Sequence, residues 1–113
     1  MVSKEELVNI AVRALETLLS YYKSGRIDKY LSEALGVSAK VSVVGGAPII
    51  EEITLTRTTG GPNTYVRLYP DRIEVEVWWG FEKYSLTYDR REAKEIFNEL
   101  EETVKEMLRA TFC

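Results

Sequence analysis

A chain of 113 residues has the length of one domain, spanning 1–113, and is long enough to bury a single core without disulfides or metals. With 45% hydrophobic and 29% charged residues it has the composition of a folded globular protein, which excludes a disordered one. A formal charge of −3 and no histidine disfavour coating of nucleic acid by a bulk positive field and remove the commonest general acid-base and metal ligand.

Ser3-Lys4-Glu5-Glu6 has the form of a capping box, in which hydroxyl and carboxylate satisfy free backbone donors at a helix start. Leu7, Ala11, Ala14, Leu15, Leu18 and Tyr22 then recur at spacings of three and four, the period of a buried helix face. Gly25 interrupts the pattern, and residues 27–35 are predicted as a second, short helix with Ile27, Tyr30, Leu31 and Ala34 inward and Gly36 as its C-terminal cap. Tyr21, Tyr22, Lys23 and Arg26 gather where the first helix ends. Cations there favour the helix dipole, and helix capping is preferred to a supplementary phosphate contact.

From Ser38 the period changes to two. Five strands are predicted at 39–44, 49–58, 64–69, 72–79 and 82–88, separated by Gly45-Gly46-Ala47-Pro48, Thr59-Gly60-Gly61-Pro62-Asn63, Pro70-Asp71 and Gly80-Phe81. Connections this short dictate an antiparallel meander. Neither glycine pair opens a helix or carries the Lys-Ser/Thr of a phosphate loop, so both are turn glycines. Asp89-Arg90-Arg91-Glu92 starts a long C-terminal helix with Ala93, Ile96, Phe97, Leu100, Val104, Met107 and Leu108 on one face. The fold class is therefore α+β: two N-terminal helices, a five-stranded antiparallel meander, and a C-terminal helix packed on one sheet face.

Successive strand side chains point to opposite faces. Ile53, Leu55, Val66, Leu68, Ile73, Val75, Val77, Trp79, Tyr84 and Leu86 fall on the face that the helices cover. The other face carries Thr54, Thr56 and Thr58, then Tyr65, Arg67 and Tyr69, then Glu74, Glu76 and Trp78, then Lys83, Ser85 and Thr87. It is polar and unusually aromatic. Bases of a single-stranded nucleic acid stack on aromatic rings while cations hold the phosphates. Tyr65, Tyr69 and Trp78 are the candidate stacking residues; Arg57, Arg67 and Lys83 are the candidate phosphate partners. Against this stand the strand preference of Tyr, Thr and Trp for its own sake and burial of the same face in an oligomer. Glu74 and Glu76 would repel phosphate, and are expected to pair with Arg67 and Lys83 across strands. As a catalytic carboxylate pair they would need a cleft that nothing in the sequence supplies.

The layout resembles the archaeal thermophilic single-stranded DNA-binding proteins called ThermoDBP and their relatives. The resemblance lies in the order of the elements over the whole chain, in a thermophile-like composition without glutamine and with only Asn9, Asn63 and Asn98, and in Tyr65-Val66-Arg67-Leu68-Tyr69 and residues 73–79. It implies a nucleic-acid-binding sheet face and a C-terminal segment used for assembly.

The expectation is thus a non-catalytic protein that binds single-stranded DNA or RNA with little sequence preference. The alternative is a protein-interaction or assembly module whose aromatic sheet face is an oligomer interface; a small-molecule pocket between the long helix and the sheet ranks third. A homo-oligomer is expected, with Ile96, Leu100, Val104 and Met107 of the C-terminal helix or the sheet face contributing. No cofactor and no metal are called for. The lone Cys113 excludes an intrachain disulfide, and the absence of a signal-like N-terminus or apolar span predicts a cytoplasmic protein without membrane contact.

Overall fold

The computed structural model describes residues 3–112, so Cys113 lies outside the described residues, as does the side chain of Leu108. Helix α1 (Lys4–Lys23) begins at the predicted Ser3 cap, with half of the predicted box: Ser3 Oγ accepts the Glu6 backbone N–H at 3.2 Å, whereas the Glu6 carboxylate takes the Ser3 hydroxyl at 3.4 Å in place of a backbone donor. It buries Leu7, Ala11 and Leu18. Helix α2 (Ile27–Ser32) buries Ile27, Tyr30 and Leu31. It ends earlier than the pattern of apolar residues predicts, with Glu33 as its C-cap, and Gly36 is not a cap. The sheet edge is the reason. The Leu35 N–H already donates to the Thr56 carbonyl at 2.8 Å, and Gly36 pairs with Thr56 as the first strand residue.

The strands are β1 (Gly36–Val44), β2 (Ala47–Thr58), β3 (Asn63–Leu68), β4 (Ile73–Trp79) and β5 (Glu82–Tyr88), followed by α3 (Arg91–Phe112). They form one sheet in the order β1-β2-β3-β4-β5 with every neighbour antiparallel. The β1–β2 turn is Gly45-Gly46, both at positive φ (59° and 82°). That left-handed pair lets two strands return on a two-residue loop.

Alternation sorts the faces as expected. Ile53, Leu55, Val66, Leu68, Ile73, Val75 and Val77 are completely buried, with Trp79, Tyr84 and Leu86 packed around them. The C-terminal helix packs against this face and adds Ala93, Ile96, Phe97, Leu100 and Val104 to the same core. Each large apolar side chain buried this way contributes about 1.5–3 kcal/mol. Ile96, Leu100 and Val104 are therefore consumed within the chain's own core and cannot also form an assembly surface; of the four helix residues expected there, only Met107 is exposed.

Candidate nucleic-acid interface

The register assembles the open face in rows. Thr54, Arg67, Glu74 and Thr87 lie directly opposite one another across β2 to β5, as do Thr56, Tyr65, Glu76 and Ser85 in the next row. Asn63, Trp78 and Lys83 form the third row. Directly opposed residues share a face, so Tyr65, Arg67, Trp78 and Lys83 come together without any loop contributing.

Each aromatic residue of this face carries a cation against its ring. The Lys83 ammonium lies 5.2 Å from the Trp78 ring centre, the Arg67 guanidinium 5.6 Å from Tyr65, and the Arg72 guanidinium 4.0 Å from Tyr69. Tyr69 and Arg72 flank the Pro70-Asp71 turn, closed by the Tyr69 N–H donating to the Arg72 carbonyl at 2.9 Å. Burial first, and then the carboxylates of Glu52 and Glu74, push the Tyr69 phenol above its ordinary pKa against the opposing arginines. It stays a protonated donor throughout the neutral range.

Arg67 is held firmly. Its guanidinium bonds Thr54 Oγ1 at 3.1 Å, Glu76 Oε1 at 3.3 Å and Glu52 Oε1 at 3.4 Å. Burial acts to lower its pKa; the Glu76 hydrogen bond and the Glu76 and Glu52 charges outweigh it, and the net direction is upward. The same Glu76 oxygen accepts the Trp78 indole N–H at 2.6 Å. Burial acts to raise the Glu76 carboxyl, but hydrogen bonds from Trp78 and Arg67, with the charges of Arg67 and Lys83, hold it below its ordinary value.

The expected cross-strand pairing of carboxylates with Arg67 and Lys83 is thus met in part and rearranged. Arg67 faces Glu74 in register yet reaches diagonally to Glu76. Glu74 instead takes the Arg72 Nε at 2.9 Å, and Lys83 sits over Trp78. Within the strands of this face, Lys40, Arg67 and Lys83 are matched by Glu52, Glu74 and Glu76, so the face is nearly neutral.

Arg57 is not part of the group. The β2–β3 register shifts between Thr56 and Thr58, and the Arg57 guanidinium turns to the helical side. There it stacks 4.1 Å from the Tyr30 ring centre and donates to the Tyr30 carbonyl at 3.1 Å. The same bulge brings Thr58 opposite Thr64, which is buried on the core face, so Thr58 also leaves the open face. At the end of α1 the carbonyls are capped by the Ser24 hydroxyl, which donates to Ser20 and Tyr21, and by the Arg26 backbone N–H, which donates to Tyr21 at 2.8 Å, while the Arg26 side chain donates to Ser24 Oγ at 3.1 Å and lies 5.0 Å from the Tyr21 ring.

Sequence reasoning missed Glu52 and Arg72. Glu52 shares a face with Thr54 by alternation, and that signal was available. Arg72 stood inside the predicted strand 72–79, two residues before Glu74 and so on the same face, and that signal was available too; in the structure β4 begins at Ile73 and the closing of the turn brings Arg72 to Tyr69. Among the described residues no cluster of His, Cys, Asp and Glu is arranged to hold a metal ion, and no helix is long and apolar enough to cross a membrane. No family model matches the chain, and neither the curated proteins nor the solved structures contain a match to it.

Proposed function

We propose that the protein binds single-stranded nucleic acid on the open sheet face, by stacking bases on Tyr65, Tyr69 and Trp78. The observation that carries this reading is the set of three aromatic rings on one antiparallel face, each backed by a cation. Stacking is worth ~1–3 kcal/mol per base and tolerates any sequence, because every base has a π face. The resemblance of the layout to the ThermoDBP proteins supports the same reading.

The charge balance of the face modifies the mechanism. Arg67 already satisfies two carboxylates, so it acts as a positioning residue that fixes Glu76 and, through it, the Trp78 ring. Lys83 is the phosphate partner. Such binding is led by stacking and has a shallow salt dependence, since that slope counts the phosphates neutralised. Anisotropy of a labelled single strand, titrated at two salt concentrations, tests it: Tyr65→Ala and Trp78→Ala should each weaken binding, while Lys83→Ala should flatten the salt slope by about one unit.

The second reading is a protein-interaction module using the same face, and Glu52, Glu74 and Glu76 among its cations favour it, because a mixed-charge aromatic surface suits a protein partner. It predicts no single-strand binding at low salt.

A further inference from the structure

Five of the eight large hydrophobic side chains exposed among the described residues lie on or beside one sheet edge: Leu35, Val41, Val43, Val44 and Ile49. Val43 and Val44, at 71% and 61% exposure, belong to β1, and Ile49 pairs with its Ser42. The helices cover neither face of this hairpin end, where residues 43–49 are all exposed. The two edges of the sheet differ. On β5 the exposed residues are Glu82, Lys83, Ser85 and Thr87, a polar edge guarded in the usual way. On β1 there is no proline and a single charge, Lys40. An edge strand so rich in valine presents outward backbone donors and acceptors that invite another strand.

We infer that the occupant of this edge is a second copy of the chain, paired β1 to β1 antiparallel about a twofold axis through Val41. The sequence of β1 selects both the partner and the register. Under twofold symmetry a residue on the axis faces itself, and its neighbours face each other in reverse order. With Val41 on the axis, Ala39 opposes Val43 and Lys40 opposes Ser42, so an apolar row runs along the core-side face and no like charges meet. With Lys40 on the axis, two ammonium groups oppose each other, which is destabilising. With Ala39 on the axis, Val43 and Val44 fall outside the pairing.

The pairing about Val41 joins residues 38–44 of the two copies and brings the exposed Leu35 of each beside the Gly45-Gly46 turn of the other. Seven residues per strand fall short of the ~800 Å² per partner that a stable interface needs; Leu35 and the uncovered hairpin ends extend it. Opposed residues share a face, so the ten strands form one sheet with both aromatic faces on the same side. Dimerisation does not depend on the nucleic-acid reading, which stands or falls separately.

Sedimentation equilibrium and an oxidative cross-linking assay on the full chain test the inference. The wild type should sediment at twice its 12.9 kDa chain mass, and Val41→Lys should sediment as a monomer with unchanged far-ultraviolet circular dichroism. In a Cys113→Ser background, Val41→Cys should form a disulfide-linked dimer on mild oxidation, because the axial residue faces its own copy, whereas Val12→Cys on α1 should not. A monomeric wild type overturns the inference. So does a dimer that withstands Val41→Lys, or one in which Val12→Cys links as readily as Val41→Cys.

Discussion

Glu76 and Trp78, two residues apart on the same face of β4, are joined by a hydrogen bond of 2.6 Å from the indole N–H to the carboxylate. The same oxygen holds Arg67 at 3.3 Å. One carboxylate thus fixes the orientation of the largest ring on the open face and neutralises its central cation. The Glu76 pKa is lower in the folded protein than in the unfolded chain. The stability it contributes is present above the ordinary carboxylate pKa and is lost as pH falls through the folded value. Melting temperatures recorded from pH 6 down to pH 3 should therefore fall more steeply for the wild type than for Glu76→Gln, with the difference confined to the region below about pH 4.5. Parallel curves would remove Glu76 from the acid response.

Arg57 should behave as a structural residue. Its guanidinium bridges β2 to α2 by stacking on Tyr30 and bonding the Tyr30 carbonyl, and the Tyr30 hydroxyl itself is buried without a hydrogen-bond partner among the described residues. Arg57→Ala should cost about 1–3 kcal/mol of unfolding free energy in urea. Arg57→Lys should recover little of it, because an ammonium lacks the planar face. Single-strand affinity should be unchanged in both. A loss of affinity in folded Arg57→Ala would return this residue to the binding surface.

Gly61 is locked by Trp79. It sits at φ +93°, and a Cβ built on it would overlap the Trp79 ring, which packs against the core from the end of β4. Gly45 also has positive φ, yet its Cβ would meet open space. Gly61→Ala should therefore lose the backbone term of about 1–2 kcal/mol and a further ~1–3 kcal/mol from overpacking, while Gly45→Ala loses the backbone term alone. Thermal melts of the two variants compare these directly. Equal losses would mean that Trp79 moves aside freely.

The sheet was legible because alternation is a local signal: Val66, Leu68, Ile73, Val75 and Val77 each declare their face through their neighbours two positions away. So was the cap at Ser3. The end of α2 was not, because what ends it is the Leu35 N–H bonding Thr56, a partner far along the chain. Arg57 was misplaced against the strand signal itself, since alternation with Ile53 and Leu55 already puts it on the helix-covered face, where its partner Tyr30 lies 27 residues away; what left no periodic trace is the bulge that takes Thr58 off the open face. The aromatic group on the open face could be read from spacing alone. Its charge balance could not, because whether Arg67 takes Glu74 or Glu76 depends on a diagonal reach that register by itself does not fix.

The central claim concerns that face, and fluorescence anisotropy of a labelled mixed-sequence single strand, with a duplex control, tests it most directly. Saturable binding that prefers the single strand, changes little between low and moderate salt, and weakens about 5- to 150-fold in Trp78→Ala, the equivalent of ~1–3 kcal/mol, is the predicted result. No binding at low salt, or equal affinity for the duplex, would contradict it.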